Sequence, residues 1–166
     1  MREFTQNEID ILIKCPKTII TKPKKQLCLE NGHYRDNIEI KSIDDIHRFY
    51  VFMRKHEAFE ENFTIGLDYI QKDGSGKICL LRCNGPHGDH INDIEADLPH
   101  YNYHIHQAKD YNINAGLKSD RYAEVTEEYA TFEDALVFFL EYCNIQDREK
   151  YFPKYQQVVL FPEQGG

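Results

Sequence analysis

Five of the eight histidines in this 166-residue chain fall between residues 87 and 106. The window reads His87-Gly88-Asp89-His90, then Pro99-His100-Tyr101-Asn102-Tyr103-His104-Ile105-His106. Side chains alternate faces along a strand, so His100, Asn102, His104 and His106 are expected on one side. Tyr101, Tyr103 and Ile105 then line the other. Imidazole titrates near neutral pH and ligates transition metals, so this face is the natural place to look for chemistry.

Three uses of such a face follow from its residue types. The first is metal-independent cleavage of RNA or another phosphodiester, which needs a base, an acid and a cation beside the developing charge. His104 and His106 share a face, His87 approaches from the loop before the strand, and Arg82 supplies charge. Asn84, His100 and Asn102 are placed to hold the substrate. The second is a metal site, with His104 and His106 completed by His100, His90 or Asp89. The third is a polar platform of histidines and tyrosines for a protein partner, without catalysis. No cofactor is called for. A structural zinc is not expected, because the cysteines lack Cys-x-x-Cys pairs and Cys79-x-x-x-Cys83 falls along one strand.

Composition bounds these readings. With 41% hydrophobic and 13% aromatic residues, a single domain over residues 1–166 can bury a real core. Its core is expected over about 4–145, with an extension over 146–166. A net charge of −8 argues against a general nucleic-acid coat but leaves room for a local basic site. No stretch approaches the roughly 20 apolar residues of a membrane helix. The polar opening does not read as a signal peptide. Cys15, Cys28, Cys79, Cys83 and Cys143 are odd in number, which fits reduced thiols and a cytoplasmic location. The acids Asp89, Asp93, Glu95 and Asp97 are most simply a solvated loop.

The positioning elements are readable in outline. Thr5-Gln6-Asn7-Glu8 is a capping box, Ile9, Leu12 and Ile13 follow at helical spacing, and Pro16 ends the run. Lys14, Lys17, Lys22, Lys24 and Lys25 form a basic stretch, read as a solvated connection with Ile19 and Ile20 tucked inward, or else as a phosphate-facing edge. Asn31-Gly32 joins Leu27–Leu29 to a strand over 34–40. A strand is expected over His47–Met53, with a short helix capped by Asp44 or Asp45 as the alternative. Phe63–Tyr69 alternates as a half-buried strand, and Lys77–Cys83 is apolar enough to be central. Asn84-Gly85-Pro86-His87-Gly88 reads as a tight loop. Residues 111–120 read as a loop, Tyr122–Val125 as an edge strand, and Val158–Phe161 as a possible last strand. Thr131 and Asp134 cap the strongest helix, whose stripe runs from Phe132 to Cys143. The order gives an α+β fold: an antiparallel meander packed against an N-terminal and a C-terminal helix.

Two resemblances emerge from these motifs. Phe4-Thr5-Gln6-Asn7-Glu8-Ile9-Asp10-Ile11-Leu12, Leu80-Leu81-Arg82, His104-Ile105-His106 and Phe139-Leu140-Glu141-Tyr142-Cys143-Asn144-Ile145 are similar to a bacterial domain-of-unknown-function family, over about residues 4–145. More distantly, Arg82, Asn84, Pro86 and His87 with Pro99-His100 and His104-Ile105-His106 resemble the core of the TumE-type toxins, with Ile105 where those carry lysine. That second resemblance implies a toxin-like or mobile-element accessory role and an antitoxin partner.

Overall fold

The computed structural model describes residues 2–86 and 102–153. Helix α1 (Gln6–Lys14) starts at the expected capping box, with Glu8 N–H donating to the Thr5 hydroxyl and the Glu8 carboxylate accepting from Thr5 N–H. It buries Ile9, Leu12 and Ile13. Strands β1 (Lys17–Ile19), β2 (Cys28–Glu30), β3 (His33–Ser42), β4 (Arg48–His56), β5 (Phe63–Ile70) and β6 (Lys77–Asn84) follow. After the segment 87–101 come β7 (His104–Gln107), the short α2 (Asp110–Asn114), β8 (Tyr122–Val125), α3 (Phe132–Tyr142) and α4 (Arg148–Tyr151).

The eight strands form one antiparallel sheet in the order β1-β3-β4-β5-β6-β7-β8, with β2 also pairing to β3. Sequential hairpins dominate, as the meander reading requires. The Asn31-Gly32 turn between β2 and β3 has φ of 48° and 79°, the left-handed pair that a two-residue hairpin demands and that Asn-Gly supplies. One face of the sheet contributes Ile38, Ile40, Phe49, Val51, Met53, Phe63, Ile65, Leu67, Tyr69, Leu81 and Cys83 to a single core. The apolar stripes of α1 and α3 cover it, including Leu136, Phe139 and Leu140. Helices and sheet together confirm the α+β class.

Several details depart from the sequence reading. The Asp44-Asp45 segment is a turn, not a helix: Asp45 has φ of 66° and Ile46 N–H donates to the Asp44 carboxylate. Strand β5 is buried on both faces at Thr64 and Gly66; at Gly66 the Phe52 ring from the neighbouring strand supplies the cover. Residues 110–114 are helical although Asn-rich. Gln6 and Asp110 exchange side-chain-to-backbone bonds, and Asn114 does the same with Phe4, so tertiary contacts override weak propensity.

In the basic stretch Lys14, Lys22, Lys24 and Lys25 are exposed, as a solvated connection requires, but Lys17 and Ile20 depart from it. Lys17 is fully buried, since period-two alternation puts it on the same inward face as Ile19, while Ile20 is exposed. Its ammonium donates to the carbonyls of Ile13 (2.6 Å), Cys15 (2.9 Å) and Cys143 (2.9 Å) and lies 4.9 Å from the Phe49 ring centre. All three donors are satisfied, by the ends of two helices. The Val158–Phe161 strand expectation falls outside the described residues.

Candidate functional site: the polar face of the sheet

Cross-strand register builds the second face of the sheet. One row runs Arg35, Arg54, Thr64, Asn84, His104, Val125; the next runs Asn37, Phe52, Gly66, Arg82, His106, Ala123. Residues directly opposite share a face. Among the described residues no helix lies on it, and the core cluster draws on the other face. His33 and His56 extend the first end, paired directly with ring centres 5.0 Å apart.

His104 and His106 do share one face, with ring centres 5.0 Å apart and planes at 70°. They are not a solvent-open pair: His104 is 1% and His106 4% exposed. His104 Nδ1 donates to Asn102 O at 2.8 Å, and His106 Nδ1 to Asp120 O at 2.9 Å. A carbonyl can only accept, so Nδ1 carries the hydrogen in each ring. The Tyr129 hydroxyl sits 2.7 Å from His104 O and 3.1 Å from Asn84 O, joining the ends of β6 and β7. Burial pushes its pKa up, which keeps it a donor.

Arg82 reaches along the face to Asp120, its Nε donating to the carboxylate. The Asp120 side chain is 2% and the Arg82 side chain 17% exposed. Lys118 approaches the other carboxylate oxygen at 3.9 Å. Asp120 therefore serves twice, through its side chain to Arg82 and its backbone carbonyl to His106. Geometry of this kind fixes the guanidinium and the imidazole relative to each other.

The far end of the face carries charge without counter-charge. Arg35 stands directly opposite Arg54, and among the described residues neither has a carboxylate within ion-pair distance. Partial burial, followed by the guanidinium groups of Arg35 and Arg82, lowers the Arg54 pKa. Arg35, Asn37, Phe52, Met53 and Arg54 line a hollow of about 90 Å³. The Phe52 ring reaches over Gly66: a Cβ there would fall 2.0 Å from Phe52 Cζ.

Of the residues expected to act, Arg82, Asn84, His104 and His106 are brought together on adjacent positions of β6 and β7. Asn102 is exposed just before β7 and supplies a carbonyl to His104. His87, His90, His100, Asp89 and the acids at 93, 95 and 97 lie outside the described residues. Among the described residues no group of three or more His, Cys, Asp or Glu is placed to hold a metal ion. Sequence reading missed Arg35, Phe52, Arg54 and Asp120. Period-two alternation within β3 and β4 marks Arg35 and Arg54 as outward-facing, but only the register makes them neighbours. The tight-turn reading of the loop also changes at its start. Gly85 N–H donates to Phe63 O at 3.0 Å, and a Cβ on Gly85 would meet Glu61 O at 1.7 Å; close strand approach requires glycine there.

Residues 4–145 match the model of a Family of unknown function (DUF6978). No curated protein matches the chain, and no solved structure does.

Proposed function

The chain belongs to the DUF6978 family, a membership that brings fold-level kinship but no activity, and from its own residues we propose that it binds a phosphodiester-bearing ligand, RNA foremost, on the polar face of its sheet. The observation that carries this is the Arg35–Arg54 pair beside Arg82. Like charges directly opposite in a sheet are unfavourable, and guanidinium forks match phosphate oxygens. An anion on this face removes the repulsion. A local basic site of this sort is compatible with a net charge of −8, which opposes only non-specific coating.

In this reading His104 and His106 are held as support for Arg82 and Asn84, with their Nδ1 atoms committed to carbonyls. The cleaving form of the same proposal has His87, His104 and His106 as acid and base, Arg82 stabilising charge, and Asn84, His100 and Asn102 holding the substrate. It requires an imidazole Nε2 to reach the phosphate, which the burial of both rings opposes. Labelled RNA incubated with the protein in excess chelator separates the two forms. Intact, bound RNA supports recognition; cleavage abolished by His104→Ala or His106→Ala supports catalysis. Absence of both binding and cleavage refutes the proposal.

One feature favours a protein partner as the second reading. Among the described residues β8 pairs only with β7, so its outer edge can accept an added strand. A toxin-like role with an antitoxin on that edge predicts growth arrest on expression, relieved by the partner. All five cysteines are free thiols, which supports a cytoplasmic assignment; no helix among the described residues is long and apolar enough to cross a membrane.

A further inference from the structure

Resting on the reading that the polar face binds phosphodiesters, we infer that Phe52 is a stacking platform for one base of single-stranded RNA, with Arg35 and Arg54 gripping the adjoining phosphate. Phe52 faces away from the core that its strand neighbours Val51 and Met53 enter. The far end of its ring (Cζ, Cε1, Cε2) lies over Gly66, while the side chain as a whole is half-buried. Among the described residues no other aromatic ring and no cation stacks on it, although rings elsewhere in the sheet do pair, as His33 with His56 and Phe49 with Tyr69.

The surroundings suit a nucleotide rather than a bare anion. Arg35, Asn37 and Arg54 rim the hollow beside the ring, so a flat apolar surface, an amide and two guanidinium groups meet at one place. A base has two faces for stacking and edge groups for an amide, and its phosphate lies within reach of a fork. Duplex bases are already stacked on each other, so an isolated platform on a strand face selects unpaired nucleotides. The ordinary alternative is that Phe52 only fills the gap above Gly66. That alternative predicts a loss of stability on truncation and no effect on ligand.

The test is fluorescence anisotropy of the full chain with a labelled single-stranded RNA of about ten nucleotides, a length within the usual site range. The matching duplex and inorganic pyrophosphate serve as comparison ligands. Phe52→Leu is expected to weaken single-strand binding on the order of 5- to 100-fold, as loss of one stacked base does. Phe52→Tyr restores it. Arg54→Gln weakens binding and lowers the salt slope by about 0.7 for the lost phosphate contact. In the unmodified protein, the Phe52 ring proton resonances shift upfield on adding RNA, a reading that does not depend on any variant folding.

Unchanged affinity in Phe52→Leu, unshifted ring resonances, or equal affinity for duplex overturns the platform. If pyrophosphate still raises the melting temperature of the unmodified protein, and Arg35→Gln with Arg54→Gln abolishes that rise, the anion-binding face survives the platform's failure. Absence of both RNA binding and the pyrophosphate effect overturns the two readings together.

Discussion

Asp120 is the residue on which the order of the polar face turns, and removing its carboxylate should be costly. Asp120→Ala leaves the Arg82 guanidinium, whose side chain is 17% exposed, without its acid. Breaking one partner of a buried pair typically costs about 3–5 kcal/mol, because the survivor keeps its desolvation penalty. Lys118 offsets little of this, since its side chain is 64% exposed and 3.9 Å away. Set against a typical domain stability of about 5–15 kcal/mol, the variant loses a large share. Arg82→Met alone strands the carboxylate and should cost a similar amount. Arg82→Met with Asp120→Leu removes both charges and should recover most of it, giving a coupling of about 3 kcal/mol in a double-mutant cycle. Urea unfolding of the four proteins, followed by circular dichroism, measures each stability. A loss below about 1 kcal/mol for Asp120→Ala, or a double variant no more stable than the weaker single, refutes the account of Asp120 as a buried anchor.

Three further outcomes are expected. Gly85→Ala drives a methyl into Glu61 O and should cost about 1–3 kcal/mol or more, seen as a fall in urea midpoint; an unchanged midpoint would show that β5 and β6 can move apart. Burial holds the His47 pKa below its ordinary value. The unfolded chain therefore takes up a proton first, so stability is full above about pH 6.5, falls as pH drops below it, and levels off beneath the folded pKa. His47→Gln should flatten that part of the profile in pH-dependent urea titrations. With a thiol reagent at pH 8, exposed Cys28 should react first, and half-buried Cys15 and Cys79, whose pKa values burial raises, more slowly. Cys83 and Cys143 should react only on unfolding, since burial pushes the Cys143 pKa up to about 12 and raises that of Cys83.

Local signals carried the reading of elements. The Thr5–Glu8 box, the Asn31-Gly32 turn and the Thr131 cap each act within a few residues, and each forms as its chemistry dictates. The shared face of His104 and His106 was equally legible, because alternation within one strand needs no partner. Their burial was not, since alternation assigns a face but does not say what packs over it. The Arg35–Arg54 pair is a property of hairpin register, and the Arg82–Asp120 pair joins β6 to the loop before β8. Lys17 misled for a related reason. In composition it is one of five basic residues on a connection, yet its acceptors include Cys143, far along the chain.

That arrangement bears on how the protein emerges from the ribosome. The β1 backbone bonds to Asn144 and Gln146, Thr18 and Ile19 bond to Asp147, and Lys17 waits for the end of α3. The first strand of the sheet thus lacks its closing partners until residue 147 has been synthesised and released, some seconds after its own translation. Until then a lysine destined for the interior has no full set of acceptors, and the nascent chain must keep its leading edge in water. The edge of the sheet at β1 thus closes later than the strands that build the polar face, all of which lie before residue 126.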